Sequence, residues 1–284
     1  MRALIFGAAG MLGTDLRATA PSGTTVIALD LAEADITDRA QVAAALHDAR
    51  PDWVINAAAY TAVDRAESER AIAEAVNGIA PGYIAEEAVR RGVALVHYST
   101  DYVFAGTATS PYREDDPVAP VNAYGESKLH GEAAVLASGA HALVLRTQWL
   151  FGRAGKSFPR TMWERATAAL PTRVVNDQMG RPTYSRDLAA ATWRLVAQRA
   201  SGIVHATNAG EPVTWFDFAR EVFARAGAET LVSPCATADY PTPARRPMYS
   251  VLCTKRLEQL LVGRLPDWQD GLRRFLDELP PARS

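Results

Sequence analysis

The sequence predicts an α/β fold in which helices cover both faces of a doubly wound parallel sheet. Short apolar runs of strand length alternate with longer segments, rich in Ala and charged residues, that have helical spacing. Such alternation indicates right-handed crossover units, which place neighbouring strands parallel. The length of 284 residues, with 48% hydrophobic and 22% charged residues, accommodates one large domain with an appended lobe.

Each predicted strand is short, rich in Val, Ile or Leu, and bounded by turn residues. In the first half of the chain these strands are Ala3–Phe6, Thr25–Leu29, Trp53–Asn56, Ala94–Ser99 and Ala142–Thr147. The segments of helical spacing between them are 39–50, 69–91 and 124–138. After about residue 150 proline becomes more frequent and the alternation less regular. There the predicted strands are Val174–Val175 and Ile203–His205, and the predicted helices are 186–199, 214–226, 254–262 and 267–278.

The composition argues against several classes of protein. A formal net charge of −2 does not suit a surface that tracks a nucleic-acid backbone, and no apolar run approaches the ~18 residues of a membrane span. The apolar run Ala3–Phe6 is too short for a secretory signal. Cys235 and Cys253 lack the spacing of zinc ligands or of a disulfide framework. We therefore expect a cytoplasmic protein that binds a small molecule rather than nucleic acid or a membrane.

The first strand runs directly into a glycine-rich turn, Gly7-Ala-Ala-Gly10-Met11-Leu12-Gly13. We expect Gly7 to allow the tight turn, Gly10 to let the backbone approach a pyrophosphate, and Gly13 to permit close packing of helix on strand. The next helix then points its free N–H groups at that phosphate. The turn thus predicts a Rossmann-type dinucleotide site.

Asp30 closes the second strand, 20 residues after Gly10. A carboxylate at this position accepts hydrogen bonds from the adenosine ribose. It favours NAD(H), because a 2′-phosphate meets a like charge there. Arg17 and Arg39 are able to offset that repulsion, so the expected cofactor is NADH or NADPH.

These patterns divide the chain into two parts. Residues 1–147 are predicted to form the dinucleotide-binding domain, to which a segment near 172–208 returns. Residues 148–171 and 209–284 are predicted to form a smaller, partly interleaved C-terminal substrate-binding lobe.

Tyr124 and Lys128 stand four residues apart in a predicted helix, so they lie on one face of it. A nearby ammonium is expected to lower the pKa of the phenol from ~10 toward neutral pH. Such a tyrosine can donate its proton to a carbonyl oxygen while a hydride reaches the carbon. Thr100 ends the preceding strand and adds a hydroxyl. Taken alone, the Tyr124–Lys128 pair also suits an exposed helix face.

The GxxGxxG spacing, Tyr124-Gly-Glu-Ser-Lys128 and Ser99-Thr100 together resemble the extended branch of the short-chain dehydrogenase/reductase superfamily. Within that branch the chain resembles the dTDP-4-dehydrorhamnose reductase family. The segments that carry this closer resemblance are Asp35–Asp38, Asn56–Asp64, Ala66–Glu67, Val76–Asn77, His97–Phe104, Arg146–Trp149, Asn176–Thr183, Arg246–Ser250 and Leu265–Trp268.

The resemblance implies reduction of the C4 keto group of dTDP-4-dehydro-L-rhamnose to dTDP-L-rhamnose. It implies that Tyr124 is the acid, that Lys128 holds the nicotinamide ribose and that Thr100 binds the reacting oxygen. The cofactor contacts that it implies are Gly10, Met11, Leu12, Asp30, Asp35, Ile36, Ala59, Tyr60, Thr61 and Tyr98. The substrate contacts are Thr100, Asp101 and Trp149, with Arg246 for the diphosphate.

Several alternatives stay open. Arg246 and Arg245 also suit a solvated charge pair, and Trp149 also suits a core position. Tyr102 stands where related dehydratases have an acidic residue, which favours reduction over elimination of water. Another nucleotide-sugar reductase, an epimerase and a non-catalytic nucleotide-binding regulatory subunit are the remaining functional candidates.

Some members of the family bind magnesium through glutamates at a dimer interface. The corresponding positions here are Asp15 and Arg186-Asp187. Because an arginine among carboxylates repels a cation, we expect no essential metal. Both a monomer and a homodimer are compatible with the sequence.

Overall fold

The computed structural model describes residues 1–279. The strands are β1 Arg2–Phe6, β2 Thr25–Leu29, β3 Trp53–Asn56, β4 Ala94–Thr100, β5 Ala142–Thr147, β6 Leu150–Phe151, β7 Thr172–Val175, β8 Met179–Gly180, β9 Thr183–Tyr184, β10 Gly202–His205, β11 Val213–Thr214 and β12 Val232–Cys235. The α-helices are α1 Met11–Ala18, α2 Arg39–Ala49, α3 Val63–Ala66, α4 Arg70–Ala73, α5 Ala80–Arg91, α6 Ala123–Ala137, α7 Phe158–Thr167, α8 Ser185–Ala197, α9 Trp215–Arg225, α10 Lys255–Leu261 and α11 Trp268–Asp277. A π-helix, Glu74–Ile79, joins α4 to α5, and 3-10 turns cover Asp101–Val103, Glu229–Leu231 and Thr237–Asp239.

Six parallel strands form the main sheet in the order β2-β1-β3-β4-β5-β10. The strand order reverses between β1 and β3, whose last residues Phe6 and Asn56 are in register. In open α/β sheets, ligands bind outside the carboxyl ends of the strands at such a switch point. The topology therefore directs attention to the loops that follow β1 and β3.

Helices cover both faces of this sheet, as predicted. On one face Leu16 of α1 and Leu188 of α8 are fully buried against the strands. On the other face Leu46 of α2, Ile84 of α5 and Val135 of α6 are fully buried as well. The predicted strands of the first half and the helices at 39–50 and 124–138 are present with bounds that differ by no more than one residue. The helix predicted over 69–91 is divided into α4, the π-helix Glu74–Ile79 and α5.

A second hydrophobic core lies in the C-terminal lobe, between α7, α9 and α11. It is largely aromatic: Phe151, Phe218 and Phe275 are fully buried and their rings meet at centroid distances of 5.6 Å. Aromatic side chains contribute large buried areas, which suits a small lobe. Helix α7 is not predicted from the sequence because Pro159 resembles a helix break, although the proline stands in the first turn, where a helix tolerates it.

Two segments lie elsewhere than the predicted division places them. Strand β7 pairs with β12, and Val174 is buried in the lobe core, so the segment that returns to the main sheet begins at α8 rather than near residue 172. In contrast, Leu257 and Leu261 of α10 pack against the main-sheet core beside α8. Within residues 1–279 no helix has the length and apolar character needed to span a membrane.

Candidate active site

The glycine turn after β1 is shaped by close backbone approaches. Gly7 has φ +74°, and a Cβ there would lie 2.5 Å from the Ala58 nitrogen. A Cβ on Gly13 would lie 2.2 Å from the Gly7 carbonyl oxygen. Gly10 precedes α1 without a side-chain cap, and a Cβ there would meet only the Gly7 oxygen, at 3.2 Å. The turn therefore leaves the N-terminus of α1 open to an anion.

Asp30 lies directly against this turn. Its Oδ2 accepts a hydrogen bond from the Ala9 nitrogen at 2.7 Å, and its Oδ1 accepts one from the Leu31 nitrogen at 2.8 Å. Each oxygen keeps lone-pair capacity for a ribose hydroxyl. The open helix N-terminus and this carboxylate fit the pyrophosphate and the ribose of a dinucleotide.

Four more residues expected near the cofactor, Met11, Leu12, Asp35 and Ile36, differ in how far their side chains are available to a ligand. The Asp35 carboxylate accepts from the Thr37 nitrogen and hydroxyl at 2.9 and 2.7 Å, so it shapes its own loop. Ile36 and Leu12 are buried in the two cores of the main sheet, while Met11 is half-buried. Because the Ile36 and Leu12 side chains are buried, only the backbone atoms of these two residues are available to contact a cofactor.

Ala59, Tyr60 and Thr61 follow β3 at the switch point. The Tyr60 nitrogen donates to Asn77 Oδ1 at 2.9 Å, and Asn77 Nδ2 donates back to the Tyr60 oxygen at 2.9 Å. Asn77 Nδ2 also donates to the Ser127 hydroxyl at 3.1 Å. Asn77 in the π-helix therefore ties this loop to helix α6.

Helix α6 places Tyr124 and Lys128 beside Thr100, at the end of β4. Asn122 caps the helix by accepting from the Gly125 nitrogen at 2.8 Å, and Tyr124 and Lys128 occupy its first two turns. Tyr124 contacts the hydroxyl of Thr100, the last residue of β4. Lys128 Nζ donates to the Tyr98 carbonyl oxygen of the same strand at 2.5 Å. The structure thus brings Thr100, Tyr124 and Lys128 together.

The expected pKa of Tyr124 is wrong in direction. Burial raises the pKa of Tyr124 to about 12, although the contact with Thr100 lowers it and the charge of Asp101 raises it further. Lys128 does not reverse this, because its ammonium is directed at the Tyr98 carbonyl. Burial also lowers the pKa of Lys128 to about 8, against the charge of Glu132. The phenol consequently stays protonated at neutral pH, which is the form that donates a proton.

Asp101 is 2% exposed and accepts from the Thr100 hydroxyl at 2.9 Å through Oδ1. Burial raises its pKa to about 7, while hydrogen bonds from Ser250 and Thr100 act in the opposite direction. Tyr102 packs edge-on against Tyr124, with ring centroids 5.7 Å apart. At the position where related dehydratases have an acidic residue, this chain therefore has an aromatic ring that packs beside Tyr124.

A cavity of about 610 Å³ extends from Tyr102 into the C-terminal lobe. Its apolar wall includes Phe158, Met162 and Trp215. Its cationic and amide side chains are Arg165, Arg173, Gln178 and Arg246. Apolar walls with a few polar groups are typical of small-molecule sites.

Arg246 is held at this cavity by Asp64. Its Nη2 donates to Asp64 Oδ2 at 2.9 Å, its Nη1 contacts Oδ1, and Arg246 holds the pKa of that carboxyl below its usual range. Arg246 therefore forms an ion pair with a residue of the predicted dinucleotide-binding domain and is not simply a solvated charge beside Arg245. Its guanidinium still lines the cavity, where phosphate oxygens suit its donor geometry.

Trp149 has φ +46° and stacks on Trp215 with centroids 3.6 Å apart and an interplanar angle of 11°. A Cβ on Gly180 would lie 2.4 Å from the Trp149 ring, so that glycine makes room for it. Trp215 lines the cavity directly. Trp149 thus supports the cavity wall from behind, and a direct contact with substrate stays a prediction.

Comparison with known proteins places this geometry in a family. Residues 1–280 match the family model described as RmlD substrate binding domain. A dTDP-4-dehydrorhamnose reductase of Burkholderia thailandensis is 44% identical, over 95% of this chain and 96% of its own. The chain belongs to the dTDP-4-dehydrorhamnose reductase family.

Two further relatives of this reductase family bear on chemistry. A probable dTDP-4,6-dihydroxy-2-methyloxan-3-one 4-ketoreductase of Streptomyces antibioticus is 46% identical, over 100% of this chain and 99% of its own. A crystal structure of dTDP-4-dehydrorhamnose reductase of Bacillus anthracis in complex with NADP is 35% identical. It covers 98% of this chain and 99% of its own, with a TM-score of 0.94.

The carboxylates considered for magnesium in this reductase family member already have partners. Asp15 is buried, accepts a hydrogen bond from the Ser185 hydroxyl, and has a pKa raised by burial. Asp187 Oδ2 accepts from Asn208 Nδ2 and from Arg274 Nη2, both at 2.7 Å. Across residues 1–279 no group of three His, Cys, Asp or Glu side chains is arranged to hold a metal ion.

Apart from Arg246, the cavity residues of the lobe are not predicted from the sequence. Trp215 stands in a predicted amphipathic helix, and Arg165 stands in α7, which is not predicted, so no local pattern distinguishes either residue. Gln178 lies inside Asn176–Thr183, a segment already noted for its family resemblance. Tyr102 was noticed only as the replacement of a dehydratase acid, and its contact with Tyr124 is visible only in three dimensions.

Proposed function

We propose that the protein reduces the C4 keto group of dTDP-4-dehydro-L-rhamnose to dTDP-L-rhamnose, with NADH or NADPH as the reductant. The observation that carries this proposal is the grouping of Thr100, Tyr124 and Lys128 at the end of β4, next to the switch point. Membership of the reductase family supports the choice of substrate. A cytoplasmic location suits the unpaired cysteines and the nucleotide-linked substrate.

A bound reduced nicotinamide supplies the hydride. Tyr124, protonated at neutral pH, donates its proton to the sugar carbonyl oxygen. Thr100 contacts the Tyr124 hydroxyl and orients it toward that oxygen. Lys128, buried at 2% exposure, presents its remaining N–H donors to the cofactor ribose.

The site favours simple reduction over elimination of water. A dehydratase needs an acid and a base near the sugar in addition to the proton donor. Tyr102 occupies that place, and burial raises the pKa of its phenol above the usual value. A phenol that is neutral and strongly desolvated is a poor base, so the transfer of one hydride and one proton completes the reaction.

The nucleotide part of the substrate is assigned to the cavity of the lobe. The apolar side chains Phe158, Met162 and Trp215 suit a pyrimidine base, and Arg246 suits the diphosphate. The substrate then reaches from the cavity past Tyr102 to Tyr124.

A second 4-keto sugar nucleotide is an alternative substrate, because the relative from Streptomyces antibioticus is named for reduction of a different dTDP-linked ketone. A panel of dTDP- and UDP-linked 4-keto sugars, each with NADH and NADPH, tests the choice by loss of reduced-nicotinamide absorbance. The highest kcat/KM with dTDP-4-dehydro-L-rhamnose supports the proposal. Turnover confined to another sugar supports the alternative, and no turnover by folded protein favours a regulatory binding role.

Activity is expected to fall as the pH rises through about 8. The pKa of Lys128 is about 8, so its ammonium is charged below that pH and neutral above it. A neutral lysine loses a charge-assisted hydrogen bond to the ribose. The pH dependence of kcat/KM for NADH, measured at a saturating concentration of the sugar nucleotide, checks this. A profile that stays flat to pH ~10, where an ordinary lysine titrates, would contradict it.

Arg246→Gln is expected to raise the KM for the sugar nucleotide about tenfold or more, because hydrogen bonds to charged groups contribute about 1.5–3 kcal/mol. The affinity for NADH should change little, since Arg246 lines the lobe cavity and not the glycine turn. Arg245→Gln is the matched control, because Arg245 is exposed. Equal KM values for the two variants would remove Arg246 from the diphosphate site.

A further inference from the structure

A buried ion pair lies one helical turn beyond Lys128. Glu132 of α6 is 1% exposed and Arg146 of β5 is 2% exposed. Arg146 donates to Glu132 through Nε at 2.9 Å and through Nη2 at 2.7 Å. Such pairs rarely stabilise a fold more than apolar residues of similar size do, so this one invites a role beyond folding.

The carboxylate of the pair belongs to the same helix face as Lys128. Glu132 follows Lys128 by four residues on the same helix, so the two side chains lie on one face. The Arg146 guanidinium also lies over the Phe104 ring at 5.1 Å. The charge of Glu132 acts on Lys128 in the direction that favours the ammonium, against the effect of burial.

The other polar groups around Lys128 do not supply a negative charge that could take the place of the Glu132 carboxylate. His97 of β4 stays neutral, because burial and the Lys128 charge both lower its pKa. Asp101 has Thr100 and Ser250 as its partners, and Glu74 of the π-helix pairs with His130 on the exposed face of α6. The titratable and charged groups on α6 and on the elements packed against it are, besides Lys128, Asp64, Arg65, Arg70, Glu74, Tyr83, Glu86, Glu87, Arg90, Arg91, His97, Tyr98, Asp101, Tyr102, Tyr124, Glu126, His130, Glu132 and Arg146.

We propose that Glu132, held in place by Arg146, is a positioning residue that keeps the buried Lys128 ammonium charged. The proposal rests on the role given to Lys128 in the proposed reduction. Burial alone favours the neutral amine, and an opposite charge within a few ångströms offsets that tendency. Arg146 fixes the carboxylate by donating one hydrogen bond to each of its oxygens.

The chain offers a direct test, because its lysines are Lys128, Lys156 and Lys255 alone. Protein labelled with ¹³C at lysine Cε gives one NMR signal per lysine, and each signal reports its own pKa without any assay of activity. In Glu132→Gln the pKa of Lys128 is expected to fall by about one pH unit or more. Lys156 and Lys255 serve as internal controls and should titrate as in the natural sequence.

Glu126→Gln is the matched control on the same helix. Glu126 is partly exposed and pairs with Arg70, so its removal should leave the Lys128 titration unchanged. If Glu132→Gln does not fold, Glu132→Gln/Arg146→Met replaces the ion pair by neutral groups and is measured instead. The pH at which NADH affinity declines, followed by fluorescence, should move down together with the Lys128 signal.

An unchanged Lys128 titration in a folded variant without the Glu132 charge would overturn the proposal. A shifted titration establishes it even when no sugar nucleotide is reduced. In that case the proposed function fails and the electrostatic role of Glu132 stands.

Discussion

Tyr124→Phe is expected to lower kcat by about 10²- to 10⁴-fold, the usual contribution of a positioned general acid. The affinity for NADH should change by no more than about twofold, because the aromatic ring and its edge-on contact with Tyr102 are kept. The change removes one hydroxyl from the site and no other contact of the helix. Steady-state kinetics and fluorescence titration with NADH measure the two quantities separately.

Tyr83→Phe is the control for this variant. Tyr83 lies on α5, where Arg39 covers its ring at 5.3 Å, far from the proposed chemistry. Its removal should leave kcat unchanged. A Tyr124→Phe enzyme that turned over at the rate of the Tyr83→Phe enzyme would mean that another group donates the proton.

Gly7→Ala is expected to weaken NADH binding by tenfold or more and to destabilise the fold by about 2–4 kcal/mol. About 1 kcal/mol of that loss comes from the backbone, because Gly7 has φ +74°. A further 1–3 kcal/mol comes from crowding, because the new Cβ would lie 2.5 Å from the Ala58 nitrogen. The glycine turn and the loop after β3 would then move apart, and both are proposed to bind the cofactor.

Gly23→Ala separates these two contributions. Gly23 has φ +79°, and a Cβ there would meet nothing within 4 Å. It should lose about 1 kcal/mol of stability and no NADH affinity. Equal losses in urea unfolding for the two variants would show that crowding against Ala58 has no part in the effect.

Much of the fold could be predicted from the sequence because local patterns and tertiary packing agree there. Short apolar runs such as Trp53–Asn56 are buried on both faces of the sheet, and a parallel strand needs that composition. The lobe was harder. Strands β7 and β12 pair across the 56 intervening residues 176–231, and nothing in the short run Val174–Val175 distinguishes that partner from the main sheet.

The grouping of the proposed catalytic residues could be predicted because it depends on local features. Two of the residues are one turn apart on a helix, and the third ends a strand. The pKa of Tyr124 is not local, since it depends on how deeply the folded chain buries the phenol. The pairing of Arg246 with Asp64 is likewise invisible in sequence, because the two residues are 182 positions apart. Contacts between distant segments determine the protonation of the site residues and their exposure to ligand. Short motifs determine which residues form the site.

Transfer of deuterium is the most direct measurement of the central claim. NADH carrying deuterium at both hydrogen positions of the reactive nicotinamide carbon is mixed with protein and dTDP-4-dehydro-L-rhamnose, and the product is examined by NMR. Deuterium is expected at C4 of dTDP-L-rhamnose, in one configuration, and the label should be absent when Tyr124→Phe replaces the natural sequence for the same short time. Product without deuterium at C4, or no product from folded protein with either cofactor, would contradict the proposed reduction.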